Sequence, residues 1–151
     1  MNLKLDWRIK TFDELANEEL YQLLGLRCAV FVVEQRCCYL DVDNKDQHCH
    51  HLLGYQDGKL MVYSRIVPPG LSYEYVSIGR IVSSVNARGK GLGAELLNVS
   101  IKTVEELYGK GIIRIGAQLY LKEFYESFGF QQSGDVYLED KIEHIQMTRP
   151  A

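Results

Sequence analysis

Long hydrophobic runs, proline and net positive charge are all scarce in this chain of 151 residues. The longest apolar run covers residues 28–33, far short of the roughly 18 residues that a membrane span requires. The first four residues lack the apolar stretch of a signal peptide, so we expect a cytoplasmic protein without membrane contact. In that compartment its cysteines should be reduced thiols; they are Cys28, Cys37, Cys38 and Cys49.

The composition is otherwise that of an ordinary globular protein. Hydrophobic residues make up 46% and charged residues 25% of the chain, and the formal net charge is −3. A mildly acidic chain is a poor candidate for general nucleic-acid binding. The length suits one compact domain with a substantial core, so we predict a single domain over residues 1–151.

Glycine is concentrated where a predicted strand, residues 75–83, meets a predicted helix, residues 94–108. The connecting segment reads Arg-Gly-Lys-Gly-Leu-Gly over residues 88–93. Alternate glycines let the backbone approach a ligand closely, and the helix adds unpaired N–H groups and the positive end of its dipole. With the cations Arg88 and Lys90, this segment predicts a phosphate or pyrophosphate bound at a helix N-terminus.

Two better-known phosphate motifs do not match. The dinucleotide fingerprint requires a third glycine where this chain has Leu96, and the P-loop requires a Ser or Thr directly after Gly-Lys. A short glycine motif is weak evidence by itself, so a simple glycine-rich turn, or a site for another phosphate ligand such as a nucleotide, remains an alternative at this point.

Hydrophobic periodicity predicts an alternation of strands and helices. We predict that Gly25 breaks or kinks the first helical region and that Gly79 marks a bulge or a close backbone approach within its strand. Residues 35–47 are predicted to form a loop. The predicted strands are 5–10, 49–55, 59–67, 75–83, 112–118, 131–138 and 142–148, and the predicted helices are 14–24, 26–34, 92–108 and 120–127.

Several segments in the same order resemble the GNAT superfamily of N-acyltransferases. The pattern Arg88-x-x-Gly91-x-Gly93 resembles its acyl-CoA pyrophosphate loop, and Phe124-Tyr125-x-x-x-Gly129-Phe130 resembles a later helix. More narrowly, residues 26–35, 78–80, 116–118 and 144–147 resemble the ElaA family of small bacterial GNAT proteins. The resemblance implies an α/β fold with a mixed, mostly antiparallel sheet of about seven strands flanked by about four helices.

The resemblance also implies the positions that bind the acyl donor, acetyl-CoA. The pyrophosphate would lie on the glycine loop, and the end of the preceding strand would run beside the pantetheine arm and polarise the thioester carbonyl. The implied cofactor-binding residues are Ile81, Val82, Ser83, Arg88, Gly89, Lys90, Gly91, Leu92, Gly93 and Ala94.

Tyr125 matches the tyrosine that often protonates the leaving thiolate in this superfamily. A phenol suits that task because the pKa of tyrosine, near 10, is close to that of a thiol. The alternative is that Tyr125 is one of ten tyrosines with a packing role only.

The general base is harder to identify, because the strand before the loop carries Arg80 where GNAT enzymes often place a carboxylate. Glu34 and His144 are the candidates, although either could be structural, and water or an already neutral amine would need neither. The acidic residues Asp41, Asp43 and Asp46 suggest a cationic acceptor, but a solvated surface loop is the favoured interpretation. The spacing of the cysteines and of residues 48–51 argues against zinc, so no metal is expected.

We therefore predict an N-acetyltransferase that transfers an acyl group directly from acetyl-CoA to a primary amine in a ternary complex, as a monomer or homodimer. The acceptor is a small amine, an amino acid, a peptide N-terminus or a lysine side chain. Direct transfer is preferred because no Cys–His pair suggests a covalent relay. A non-catalytic acyl-CoA sensor or interaction module is the alternative.

Overall fold

A computed structural model describes residues 4–151. It contains seven strands: β1 Asp6–Thr11, β2 His50–Gln56, β3 Lys59–Val67, β4 Ser77–Ser83, β5 Ile113–Gln118, β6 Gln131–Glu139 and β7 Ile142–Arg149. It contains three α-helices: α1 Asn17–Arg27, α2 Leu92–Tyr108 and α3 Lys122–Glu126. A π-helix covers Cys28–Glu34, and short 3₁₀ turns cover Asp46–His48, Val85–Ala87 and Leu119–Leu121.

The strands form two antiparallel sheets that meet at one point. The first sheet has the order β1-β2-β3-β4 and the second has the order β5-β7-β6. Val76, just before β4, forms a parallel bridge with Ile113, and its carbonyl accepts a hydrogen bond from Arg114 at 3.0 Å. Beyond this bridge β4 and β5 do not pair within residues 4–151, and the space between them is left for a cleft.

Helix α2 packs across both sheets. Leu97 and Val104 face a core cluster that contains Ile78 from β4 and Ile115 from β5, while Leu96 faces a second cluster under β2 and β3. Burying one such aliphatic side chain contributes about 1.5–3 kcal/mol. This packing fixes the start of α2 beside the open end of the cleft.

The seven predicted strands and the order of elements are confirmed, whereas the helices differ in detail. Helix α1 starts later than predicted, because the Glu19 carboxylate accepts the N–H of Ala16 at 2.8 Å and caps the helix there. Gly25 does not break α1, and the predicted second helix is a π-helix that continues directly from it. The expectation of about four helices compares with three α-helices and this π-helix.

Strand β4 contains the bulge that Gly79 suggested. Tyr63 pairs with Val82 and Arg65 pairs with Gly79, so one β3 residue faces two β4 residues. The unusual backbone falls on Arg80, whose φ is 50°. A non-glycine residue in this region costs of order 1 kcal/mol and persists only where its surroundings hold it.

Candidate active site

Six consecutive backbone N–H groups at the start of α2 are available to a ligand. Within the described chain, none of the N–H groups from Gly89 to Ala94 donates to a backbone acceptor, and the first that does is that of Glu95, to Gly91. Gly89 and Gly91 have φ values of 76° and 74°, a region that glycine enters without strain. The segment therefore presents a helix N-terminus suited to an anion.

The two cations of this loop have different surroundings. Arg88 donates to both carboxylate oxygens of Glu34, at 2.9 and 2.7 Å, and lies 3.5 Å from the Ser83 carbonyl. Lys90 is exposed. The guanidinium lowers the pKa of the Glu34 carboxyl, which makes Glu34 a weaker base than it would be alone. The predicted base thus bridges the π-helix to the glycine loop.

One cavity of about 880 Å³ follows the full length of β4. All seven residues of β4 line it, so at about 3.3 Å per residue it extends roughly 20 Å. At the Ser83 end it reaches Arg88 and Gly93, and its opposite wall includes Gln118 and Tyr125. Of the predicted donor residues, Gly89, Lys90 and Gly91 are exposed beside it, while the Leu92 side chain is buried in the core.

Tyr125 lies in the wall of this cavity and is only 6% exposed. Its ring makes edge-to-face contacts with Phe124 and Phe130, with centroids 5.3 and 5.9 Å away. Burial raises the pKa of its hydroxyl, so the group stays protonated at neutral pH. A protonated phenol in an apolar wall is a proton donor rather than a base.

His144, on β7, lines the same cavity and is in register with Gln118 of β5. Its Nδ1 lies 2.8 Å from the carbonyl oxygen of Ile142; since a carbonyl oxygen only accepts, Nδ1 carries a proton, and in the neutral imidazole Nε2 then holds the lone pair. The Glu139 carboxylate is 3.6 Å from Nε2, and the imidazole stacks on Tyr137 at 5.7 Å. A neutral imidazole with a fixed tautomer and a nearby carboxylate can accept a proton.

Tyr137 and Tyr73 explain why β5 has a glycine in its middle. A Cβ on Gly116 would lie 2.7 Å from the Tyr137 hydroxyl and 3.1 Å from the Tyr73 hydroxyl, closer than atoms in proteins normally approach. The two phenols therefore converge above Gly116. Burial, then Tyr73, raises the pKa of Tyr137 to about 12, so both groups remain neutral hydrogen-bonding groups.

The loop over residues 35–47 is fixed by a buried ion cluster and is not a solvated surface loop. Arg27, with no exposed area, donates to Asp41 at 2.7 Å and to Asp46 at 2.8 Å. Arg65 donates to both oxygens of Asp43, at 2.8 and 2.9 Å. The favoured interpretation of these acidic residues was wrong, because their partners come from α1, β3 and β4.

Arg80 connects this cluster to the cavity. Its Nη2 donates to the Asp41 carbonyl at 3.0 Å, and its Nε is 2.9 Å from an Asp41 carboxylate oxygen without the alignment of a hydrogen bond. Tyr39 donates to the same carboxylate at 3.1 Å. These contacts hold Arg80 in its unusual backbone conformation at the bulge.

A family model described as an acetyltransferase (GNAT) domain matches residues 16–150. The chain belongs to the GNAT family. The protein ElaA of Escherichia coli is 40% identical over 147 residues, which is 96% of each chain. A Synechocystis protein, UPF0039 protein sll0451, is 38% identical over 146 residues, 96% of this chain and 95% of its own. The resemblance to the ElaA family is therefore confirmed.

Solved structures agree with this GNAT assignment. An acyl-CoA N-acyltransferase from Pseudomonas aeruginosa superimposes with a TM-score of 0.93 at 43% identity, covering 97% of this chain and 99% of that one. Escherichia coli ElaA superimposes with a TM-score of 0.90 at 39% identity and the same coverage. The mixed α/β fold predicted from the sequence is the GNAT fold.

The ion cluster and the phenol pair of this GNAT protein were missed at the sequence level. Gly116 lies in a segment that had been matched to the family, but nothing local indicates which side chains occupy the space above it. The one available signal was Arg80, a charged residue in a buried strand pattern, which demands a carboxylate partner. Its partners are 37 and 39 residues away in the chain.

Proposed function

We propose that this protein is an N-acetyltransferase that transfers an acetyl or similar acyl group from acetyl-CoA to a primary amine. The observation that carries the proposal is the single cavity that joins the glycine loop, the bulged strand β4 and Tyr125. The name of the Pseudomonas aeruginosa relative, an acyl-CoA N-acyltransferase, supports the same class of donor.

The donor is held along β4 in this proposal. The N–H groups from Gly89 to Ala94 bind the pyrophosphate, with Arg88 and Lys90 supplying charge. Ile81, Val82 and Ser83 run beside the pantetheine arm. The bulge interrupts pairing with β3, and backbone N–H groups near it polarise the thioester carbonyl.

The reaction is a direct transfer in which the amine lone pair attacks the thioester carbon. The new C–N bond forms, the C–S bond breaks, and Tyr125 gives its proton to the departing thiolate. Burial raises the pKa of a thiol as well as that of a phenol, so the two groups stay comparable inside the same cavity. The phenolate formed is reprotonated from solvent after the products leave.

His144 takes the proton of the amine in this scheme, and Glu34 does not. The Nε2 lone pair of His144 faces no backbone donor, and Glu139 stabilises the imidazolium that forms. Glu34 is instead bound to Arg88 through two hydrogen bonds. Cys37 also lines the cavity, but its thiol donates to the Asp140 carbonyl at 3.1 Å. Among the described residues it makes no hydrogen bond to a histidine or a carboxylate, which favours direct transfer over a covalent relay.

Thiol release from acetyl-CoA in the presence of a panel of amines tests the proposal. We expect Tyr125→Phe to lower kcat by roughly 10²–10⁴-fold, the usual contribution of a positioned acid, with the Kd for acetyl-CoA unchanged by calorimetry. Tyr21→Phe is the matched control, because Tyr21 is 82% exposed on α1.

The outcomes separate the candidate functions. Binding of acetyl-CoA with no transfer to any amine would favour a sensor or interaction module. Tight binding of a nucleotide and none of acetyl-CoA would end the proposal altogether. Equal turnover by Tyr125→Phe and Tyr21→Phe would remove Tyr125 from the mechanism and leave the donor site standing.

A further inference from the structure

We call the half of the cavity away from the glycine loop the acceptor half. Beside it, the positive and negative charges of the ion cluster cancel, and Lys45 is one further positive charge. The ion cluster contains three guanidinium groups and three carboxylates, all linked within 3.4 Å. These residues are Arg27, Arg65, Arg80, Asp41, Asp43 and Asp46. The cluster is therefore neutral as a unit, and the acidic loop offers no net negative charge to a cationic acceptor.

Lys45 is the charge left over. It lies between Asp43 and Asp46 in the chain, is half-buried, and lines the cavity. Within residues 4–151 its ammonium group makes no ion pair with a carboxylate, and the one hydrogen bond that it makes is to the Ser72 hydroxyl at 3.0 Å. Ser72 lines the same cavity. An ammonium group with one neutral partner keeps two donors for a ligand.

Lys45 and Ser72 lie near the end of β4 that is opposite the glycine loop. Asp43 accepts the backbone N–H of Lys45 at 3.2 Å and binds Arg65, which is in register with Gly79 in the first half of β4. The glycine loop adjoins Ser83, the last residue of β4. Lys45 is therefore on the acceptor side of the bulge.

Two carboxylates on the β6–β7 side of the cavity carry the charge opposite to that of Lys45. Glu139 at the end of β6 lies beside His144, and Asp140 follows it in the turn to β7; both line the cavity. Neither pairs with Lys45 or with an arginine in the part of the chain that the structure describes. A ligand with a cationic amine at one end and an anionic group at the other matches both walls.

We propose that Lys45 and Ser72 form a carboxylate subsite, and that the acceptor is a small amine that also carries a carboxylate, as an amino acid does. The inference depends on the acyltransferase function proposed above and specifies its acceptor. The acceptor's amine lies toward His144 and Glu139, and its carboxylate accepts hydrogen bonds from the Lys45 ammonium and the Ser72 hydroxyl. Lys45 is a specificity-determining residue and takes no part in proton transfer.

Matched acceptors test this assignment. Turnover is measured by thiol release for an amino acid and for the amine with the same side chain that lacks the carboxylate, for example phenylalanine and phenethylamine, and lysine and cadaverine. A charge-assisted hydrogen bond changes affinity by roughly ten- to a hundredfold. We expect the carboxylate-bearing member of at least one pair to have a kcat/KM higher by that factor, mainly through KM.

Substitutions at Lys45 and Ser72 test whether these residues cause the preference for acceptors that carry a carboxylate. Lys45→Met should raise the KM of the amino acid until it equals that of the amine, leave the amine unchanged, and leave the KM of acetyl-CoA unchanged. Lys45→Arg should restore most of the preference, and Ser72→Ala should reduce it partly. Lys102→Met is the matched control, because Lys102 is exposed on α2 away from the cavity.

Three results would overturn the inference. If the wild-type protein acetylates both members of every pair equally, the acyltransferase stands and the carboxylate subsite does not. If Lys45→Met raises the KM of acetyl-CoA instead, Lys45 contacts the donor. If acetyl-CoA binds and no amine is acetylated, the proposed function fails and the acceptor subsite fails with it.

Discussion

Arg27 is the residue whose replacement should cost the most stability in this protein. It has no exposed area, and it binds the carboxylates of Asp41 and Asp46 and the Asp41 carbonyl. Arg27→Met keeps much of the side-chain volume and removes the charge. Two buried carboxylates then lose a partner each, and the cluster acquires one uncompensated negative charge.

The size of the effect follows from the contacts that remain. Removing one partner from a buried ion pair costs about 3–5 kcal/mol. Asp46 keeps Arg65 at 2.9 Å, and Asp41 keeps Arg80 at 2.9 Å, so the lower end of that range is expected. For a domain of this size, 1 kcal/mol corresponds to a Tm change of roughly 2–4 °C, and the expected decrease in Tm is roughly 6–12 °C.

Urea unfolding followed by tryptophan fluorescence measures the change, since the chain contains one tryptophan. The difference between wild type and variant should shrink as the pH falls toward 4, because protonation of one carboxylate restores neutrality. Arg88→Met is the control for an ion pair at the surface, where the expected loss is below about 1 kcal/mol. A loss below 1 kcal/mol for Arg27→Met, or a loss independent of pH, would refute the argument that charge balance holds the 35–47 loop.

Three further predictions follow from other contacts. Glu34→Gln should keep kcat within a few-fold and tighten acetyl-CoA binding at low salt, since it frees the Arg88 charge; a base would instead lose roughly 10²-fold or more in kcat. Burial alone would raise the pKa values of Asp43 and Asp46, but their arginine partners lower them, to about 2 for Asp43. A carboxyl whose pKa is lower in the folded state than its ordinary value of 3.8 stabilises the fold at pH values above 3.8. The urea midpoint should therefore fall as the pH decreases from about 4 toward 2. Gly116→Ala should lower stability by less than about 1 kcal/mol, because the two tyrosine hydroxyls that its Cβ would meet are side-chain ends that can shift, whereas Gly25→Ala, with open space around it, should raise the Tm slightly.

The sequence was sufficient for features that depend on neighbours in the chain. Alternation of apolar residues located the strands, and the glycine loop stood out because its glycines lie at alternate positions in the chain; its binding of acetyl-CoA stays a prediction. The π-helix was not distinguished from an α-helix, because its run of β-branched residues fits several backbone conformations. Gly79 predicted the bulge in β4, but the residue with the left-handed backbone conformation is Arg80.

Features that depend on distant partners could not be predicted. Asp41, Asp43 and Asp46 read as a polar loop because their arginine partners come from three separate elements. Glu34 read as a free carboxylate because its partner, Arg88, lies 54 residues later. In each case the partners and the accessibility of the side chain could not be predicted, since both depend on long-range packing.

Val76 and Ile113 form the one backbone bridge between the two sheets within residues 4–151, although α2 and the core beneath it contact both sheets. A molecule bound in the cleft between β4 and β5 contacts both sheets at positions where the two strands form no hydrogen bonds with each other. Because such a molecule binds the folded state, it should raise the free energy of unfolding. Amide hydrogens on the edges of β4 and β5 would report this directly, because their exchange would slow when the cleft is occupied.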